Sequence, residues 1–205
     1  MNACEATVFV VDDDDSLCRG LARLLRSAGW SVETFSSARE FLEQAPLGTA
    51  GCAVLDVSMP DMTGPDLHDQ MRERGLSLPV VFLTGHGDVP TSVQAMKRGA
   101  VDFLLKPVDA GVLLQTVAQA VQRHTAELAQ QTQRHQTIAC LARLSSRERE
   151  VLESVIRGDR NKQIAAELGI SEKTVKVHRG RVMEKMEARS VVELIRRCEA
   201  AGIIS

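Results

Sequence analysis

Hydrophobic positions recur along the chain in two alternating rhythms. Thr7–Val11 is a short apolar run rich in β-branched residues, and four aspartates follow it. Behind them Leu17, Leu21, Leu24 and Leu25 recur at helical spacing, with Asp15 or Ser16 placed to cap the helix and Gly29 to end it. Ser31–Phe35 sets Val32 and Thr34 against polar neighbours and reads as a strand. Ser37-Ala38-Arg39-Glu40 has capping-box spacing and opens a helix to about Ala45. Residues 52–56 form the next strand. Met59-Pro60 and Gly64-Pro65 then punctuate a loop, and Pro65 suits the first turn of a helix that runs to Gly75. Residues 79–84 are a strand of the fully buried kind. Val93, Met96 and Lys97 lie on a helix before Gly99, residues 101–105 are the fifth strand, and a helix follows Pro107.

Strands alternating with helices in this way predict a parallel sheet with helices on both faces. The rhythm then changes. From Val108 to about Leu141 the composition favours helix, with no Gly or Pro after Gly111 and with Gln at 115, 119, 122, 130, 131, 133 and 136. One heptad track places Val121, Leu128, His135 and Ala142 on a seam with His124, Gln131 and Ile138 between; so polar a seam makes a weak coiled coil. A solvated helical spacer is the preferred reading. Beyond it only helical signals remain. Ser145-Ser146-Arg147-Glu148 is a capping box opening a helix to Ile156, Asn161–Leu168 is a second helix, residues 172–186 a third and residues 190–201 a fourth. Two helices joined by the short turn Gly169-Ile170-Ser171 indicate a helix-turn-helix.

Composition narrows the class. The 205 residues allow one large or two small domains, and 44% hydrophobic content is that of a soluble globular chain. Apolar runs such as residues 8–11 fall far short of the roughly 18 residues a membrane span needs. Met1-Asn2-Ala3-Cys4-Glu5 shows no basic-then-apolar signal. Five cysteines stand singly at 4, 18, 52, 140 and 198, which argues against a disulfide framework or structural zinc and for the reducing cytoplasm. The net charge of -2 hides a split: residues 1–123 carry -6, residues 124–143 carry +1 and residues 144–205 carry +3. An acidic front and a basic tail call for different partners.

In open parallel sheets ligands bind beyond the carboxyl ends of the strands. Here those ends offer Asp12, Asp13 and Asp56, the hydroxyl of Thr84 and the ammonium of Lys106. Three carboxylates in one crevice repel one another, and a hard dication such as Mg²⁺ relieves that repulsion. With Lys106 the charges balance, leaving a site able to accept a phosphoryl group on Asp56. Residues 12–15 also read as a plain solvated capping run, but the coincidence of four strand ends favours the site. In the tail, Val175, Val182 and Met186 face the core of the third helix. Its remaining face carries Lys173, Thr174, Lys176, His178, Arg179 and Arg181, suited to phosphates and base edges in a major groove. A charged helix face is commonly just solvated; position after the turn raises this one.

Val10-Val11-Asp12-Asp13, Leu55-Asp56-x-x-Met59-Pro60, Leu83-Thr84 and Asp102-Phe103-Leu104-Leu105-Lys106-Pro107 together resemble the receiver domain of two-component response regulators, over residues 7–122. Thr84-Gly85-His86-Gly87-Asp88-Val89-Pro90 is similar to the FixJ-type branch. Leu144-Ser145-x-Arg147-Glu148, Asn161-Lys162-Gln163-Ile164-Ala165 and Thr174-Val175-Lys176-Val177-His178 resemble the LuxR-type domain of FixJ- and NarL-like regulators. The resemblance implies a five-stranded flavodoxin-like α/β sheet of order 2-1-3-4-5 and a four-helix all-α helix-turn-helix domain. It implies domains at 1–122 and 144–205 with a helical linker at 123–143.

By the same resemblance Asp56 is the phosphoacceptor. Asp13, Asp56 and the Ser58 backbone carbonyl ligate Mg²⁺, with Asp12 acting through water. Thr84 and Lys106 bind phosphoryl oxygens, the Lys106-Pro107 bond is cis, and Phe103 stands at the switch position where relatives often have Tyr; this chain has no Tyr. Residues 172–186 become the recognition helix, with Val177 among its DNA contacts, and residues 190–201 a dimer contact. The implied function is transcription regulation rather than enzymatic turnover. The implied partners are a sensor histidine kinase, double-stranded DNA and a second copy after phosphorylation, with RNA polymerase as a further candidate and no membrane.

Several residues have plainer readings: Phe103 as core, His86 as a bystander, Trp30 as core. Gly180 lies mid-helix, where glycine is costly, and leaves base preference open. Two other functions compete. Residues 11–15 also resemble the nucleophile segment of aspartate-nucleophile phosphatases, with Asp14 able to serve as general acid for Asp12; that reading leaves the basic tail unexplained. A receiver acting only as a phosphorylation-independent dimer module is the other, and the intact pocket argues against it.

Overall fold

The structure, a computed structural model, describes residues 6–46, 48–85 and 102–203. The chain divides into two compact units, Met1–Leu128 and Ala129–Ser205. The expected helix around Val93, Met96 and Lys97, together with His86, lies outside the described residues.

In the first unit, β1 (Thr7–Val11), α1 (Asp15–Ser27), β2 (Ser31–Phe35), α2 (Ala38–Gln44), β3 (Gly51–Asp56), α3 (Gly64–Glu73), β4 (Val80–Thr84) and β5 (Asp102–Leu105) follow one another. The strands form one parallel sheet of order β2-β1-β3-β4-β5, the flavodoxin-like arrangement the sequence implied. Side chains alternate across a strand, so each strand feeds two cores. Val8, Val10, Cys52, Val54, Val81 and Leu83 meet Leu21, Ala22 and Leu25 of α1. Phe9, Val11, Ala53, Leu55, Val80 and Phe82 meet Phe41 of α2 and Leu67 and Met71 of α3. Both faces being covered, β3 and β4 are buried along their whole length, as an all-parallel sheet requires.

Two local expectations shift. Val32 and Phe35 are the buried residues of β2, while Thr34 is exposed, because β2 is an edge strand whose two faces are covered by different helices. The cap of α1 is Asp14, not Asp15 or Ser16: its carboxylate accepts the backbone N–H groups of Ser16 (2.8 Å) and Leu17 (3.2 Å). Trp30 is half-buried and packs on the edge of the α1 core.

One helix, α4 (Ala110–Ala142), begins against the sheet and continues into the second unit. Leu113, Val117, Ala120 and Val121 belong to the α1-side core. His124 is buried, and its Nδ1 meets the backbone of Gly51 at the start of β3 (3.2 Å to the N–H). Burial lowers its pKa, against the smaller opposing effects of the Gly51 contact and Glu127. His135, Gln131 and Ile138 of the heptad track are exposed.

The second unit adds α5 (Ser146–Ile156), α6 (Asn161–Leu168), α7 (Glu172–Lys185) and α8 (Val191–Ala200). The Ser145–Glu148 capping box forms as expected, Ser171 caps α7 and Ser190 caps α8. Gly169 ends α6 in the left-handed conformation (φ 66°) that glycine adopts without strain. Val151, Leu152, Ile164, Val175, Val182, Met186 and Leu194 make the core.

Candidate functional site

Order and spacing of the strands bring Asp12, Asp13, Asp56, Thr84 and Lys106 to one end of the sheet. Asp12 follows β1, Asp56 ends β3, Thr84 ends β4 and Lys106 follows β5. The backbone holds these ends together: Val57 N–H donates to Leu83 C=O (2.9 Å) and Lys106 N–H to Thr84 C=O (2.7 Å). The Lys106-Pro107 bond is cis.

Lys106 Nζ lies 2.7 Å from Asp12 Oδ2 and 2.7 Å from Asp56 Oδ1. The carboxylates are 1% and 6% exposed and the ammonium 24%. Burial alone would pull the Lys106 pKa down; its bonds to Asp12 and Asp56 outweigh that and hold it above the ordinary lysine value. The other carboxylate oxygens are also engaged. Asp12 Oδ1 accepts the Asp14 N–H (2.9 Å), and Asp56 Oδ2 accepts the Ser58 N–H (3.1 Å). Asp13 is exposed beside them, and ligand atoms of Asp12, Asp13 and Asp56 lie within 4.8 Å of one another. An all-oxygen, strongly anionic, half-open set of this kind suits a hard dication such as Mg²⁺, which keeps several waters and needs few carboxylates.

The loop after Asp56 folds back tightly, the Gly64 N–H donating to the Val57 carbonyl (3.0 Å). A Cβ on Gly64 would overlap the Asp56 carbonyl oxygen, so only glycine lets α3 start so near the end of β3. Thr63 caps α3, and Pro65 sits in its first turn. A cavity of about 90 Å³ opens beside Asp13 between Ser36, Ser37, Met59, Pro60 and Asp61. Cys18 lies beneath: its thiol reaches the Asp12 carbonyl (3.4 Å), and burial, with Asp12 nearby, pushes its pKa up to about 11. A thiol so held stays protonated and inert. Phe103 is half-buried, its ring 6.2 Å from that of Phe82.

The tail offers a second surface. Lys173, Lys176, Val177 and Arg181 are exposed on α7, with Val177 48% exposed among the cations. Thr174 is half-buried beside the cap, its hydroxyl 2.8 Å from that of Ser171. His178 turns a buried Nδ1 inward without a hydrogen-bond partner. Arg179 lies toward the core side and donates from one nitrogen to Asn161 Oδ1 at the start of α6 (2.8 Å). The sequence groups these seven together; the helix spreads them over more than one face.

Sequence reasoning missed one constellation. Glu148 is buried, and its Oε2 receives both the Ser145 N–H (2.8 Å) and the Lys185 ammonium (2.7 Å). Lys185 also donates to the Arg143 carbonyl (3.1 Å). The bond to Lys185, then that to Ser145, lowers the Glu148 pKa to about 2. A cation in the last turn of α7 is thereby committed to holding the helix, where its negative end also favours positive charge. The capping box was visible; a lysine 37 residues away was not.

Comparison with known proteins assigns both units. A model of the response regulator receiver domain matches residues 8–118, and one of bacterial regulatory proteins of the luxR family matches residues 142–198. Nodulation protein W of Bradyrhizobium diazoefficiens is 45% identical over 199 residues, covering 97% of this chain and 88% of that protein. The transcriptional regulatory protein FixJ of Azorhizobium caulinodans is 43% identical, covering 96% and 93%. The solved structure of the response regulator StyR superposes with a TM-score of 0.85 at 46% identity, over 95% of this chain and 98% of that one. Among the described residues no helix is long and apolar enough to cross a membrane.

Proposed function

The chain belongs to the FixJ/NarL-type response regulators, which join a receiver domain to a LuxR-type DNA-binding domain, and on that premise we propose a phosphorylation-controlled transcription regulator with Asp56 as its phosphoacceptor. The observation that carries this reading is Lys106 Nζ at 2.7 Å from both Asp12 and Asp56, a cation already placed where phosphoryl oxygens would arrive.

A sensor histidine kinase supplies the phosphoryl group. An Asp56 oxygen forms the new P–O bond as the P–N bond to the kinase imidazole breaks, and the imidazole keeps the electron pair. Asp13, Asp56, the Ser58 carbonyl and, through water, Asp12 would hold Mg²⁺, which supplies charge neutralisation at the crowded oxygens. Lys106 and the Thr84 hydroxyl bind the transferred oxygens. Phosphorylation adds about -1.5 to -2 charge, so Lys106 shares its bond to Asp12 with the new group and Thr84 moves to meet it. Phe103 follows, and a pre-existing balance of two receiver states shifts. The active state dimerises and presents two tails to double-stranded DNA half-sites about one turn apart. Lys173, Lys176 and Arg181 meet phosphates or base edges, Val177 packs on a base, Thr174 and His178 lie at the margin, and Arg179 keeps nitrogens free of Asn161 for a phosphate. RNA polymerase is a further candidate partner, and the cytoplasm is the compartment that fits a kinase, DNA and reduced thiols.

The test is the mass of the intact chain after incubation with Mg²⁺ and a phosphorylated histidine kinase domain. One phosphoryl adduct is expected on the wild type and none on Asp56→Asn. An adduct of equal yield on Asp56→Asn overturns the assignment.

A further inference from the structure

Many of the described glycines have visible local reasons. Gly29, Gly75, Gly158, Gly169 and Gly202 adopt positive φ at helix ends, while Gly51 and Gly64 sit where a Cβ would strike backbone. Gly180 has neither reason. It lies in the interior of α7, is exposed, and a Cβ there would meet nothing within 4 Å. Glycine is costly at such a position, where alanine would strengthen the helix at no steric expense. Nothing among the described residues asks for the missing side chain.

Its place on the helix supplies a reason outside the molecule. At 3.6 residues per turn, Gly180 points about 140° from the buried Val175 and about 160° from the buried Val182. It therefore occupies the middle of the outward face. Lys173, Lys176, Val177 and Arg181 surround it, all exposed. The result is a low spot of bare backbone, bordered by one valine and ringed by cations. A helix with its side chains is about 10–12 Å across, and a DNA major groove is about 12 Å wide. With so little clearance, the tallest group at the centre of the face sets how deep the helix can sit.

We propose that Gly180 is a specificity-determining position: the bare backbone lets α7 seat against base edges, bringing Val177 into contact with an apolar base group such as a thymine methyl, while Lys173, Lys176 and Arg181 reach the flanking phosphates. This rests on the reading of the tail as a binder of double-stranded DNA. Gly20 provides an internal control. It is likewise exposed inside a helix, α1, with nothing within 4 Å of a Cβ, and it lies in the other unit.

The experiment uses the full chain activated with beryllofluoride and Mg²⁺. A duplex is first selected from a random-sequence library by the wild type; failure to select any duplex removes the DNA-binding premise itself. Gly180→Ala and Gly20→Ala are then compared with the wild type on the selected duplex and on an unselected one, alongside thermal melts. Gly180→Ala should melt no lower than the wild type and bind the selected duplex about tenfold more weakly, the loss of roughly one base-level contact. Its binding to the unselected duplex should hold, and Gly20→Ala should bind both as the wild type does. Wild-type affinity of Gly180→Ala for the selected duplex overturns the proposal. So does an equal loss on both duplexes, which would assign Gly180 to phosphate clearance rather than sequence reading.

Discussion

Replacing Lys106 by Met tests the electrostatics of the acidic crevice. The substitution keeps much of the apolar stem and removes an ammonium that touches both Asp12 and Asp56 at 2.7 Å. Two nearly buried carboxylates then face each other, with ligand atoms no more than 4.8 Å apart. At an effective dielectric constant of about 20, unit charges at that separation repel by about 3.5 kcal/mol. The variant therefore carries that repulsion in the folded state whenever both carboxylates are charged.

The sign follows from linkage. In strong acid the carboxylates are neutral and the repulsion costs nothing. As pH rises the charges return, and the folded state, which holds them together, is penalised relative to the unfolded chain, which does not. The stability difference between wild type and Lys106→Met should thus grow from acid to neutral pH by up to about 3.5 kcal/mol, beyond whatever the lost packing removes at every pH. Urea midpoints of both chains across that range measure it. Mg²⁺ in the millimolar range should recover more stability in the variant at neutral pH than in the wild type. A difference that stays flat with pH, or a variant indifferent to Mg²⁺, would refute the account of Lys106 as counter-ion to the pair.

Other consequences can be read in the same way. Lys185→Met should destabilise the tail at neutral pH and reduce the advantage that Glu148 confers; because its folded pKa of about 2 lies below the ordinary 4.5, that advantage is present above pH 4.5 and lost as pH falls toward 2. Circular dichroism during acid titration should show the wild-type helices outlasting those of Lys185→Met, and coincident titrations would count against the bridge. His124 is held neutral, so falling pH costs stability once the unfolded chain protonates near 6.5; His124→Gln should flatten the pH dependence of the unfolding midpoint between about 5 and 7, and an unchanged slope would exclude His124 as its source. Lys176→Ala should weaken DNA binding and reduce the salt slope by about one, whereas an unchanged affinity and slope would remove Lys176 from the interface.

Much of the fold is legible because periodicity and capping chemistry agree. The run Thr7–Val11 alternates side chains into two cores, and the spacing Ser145-x-x-Glu148 makes the capping box it promises. The strand-end aspartates, Thr84 and Lys106 could be gathered because a parallel α/β sheet places all carboxyl ends together. What local pattern does not contain is pairing at a distance. Four consecutive aspartates offer several caps, and only the path of the chain after β1 selects Asp14. Arg179 and Arg181 look alike in sequence, yet one reaches Asn161 and the other stands in solvent. Lys185 would be counted with the basic face by charge alone; the buried carboxylate of Glu148 claims it. His124 resembles a linker residue until β3 brings Gly51 beside it. The same correction applies to the tail's charge: a surplus of only +3 says little, whereas the fold sets Lys173, Lys176 and Arg181 exposed around Gly180.

On the proposed reading, Asp56 controls what the tail does. Its most direct test is the affinity of the full chain for a selected duplex at one stated salt concentration, with and without beryllofluoride and Mg²⁺, for wild type and Asp56→Asn. Tighter binding by the wild type is expected when beryllofluoride is present, with no response from Asp56→Asn. Equal affinity of the wild type in both conditions, or an undiminished response from Asp56→Asn, would contradict it.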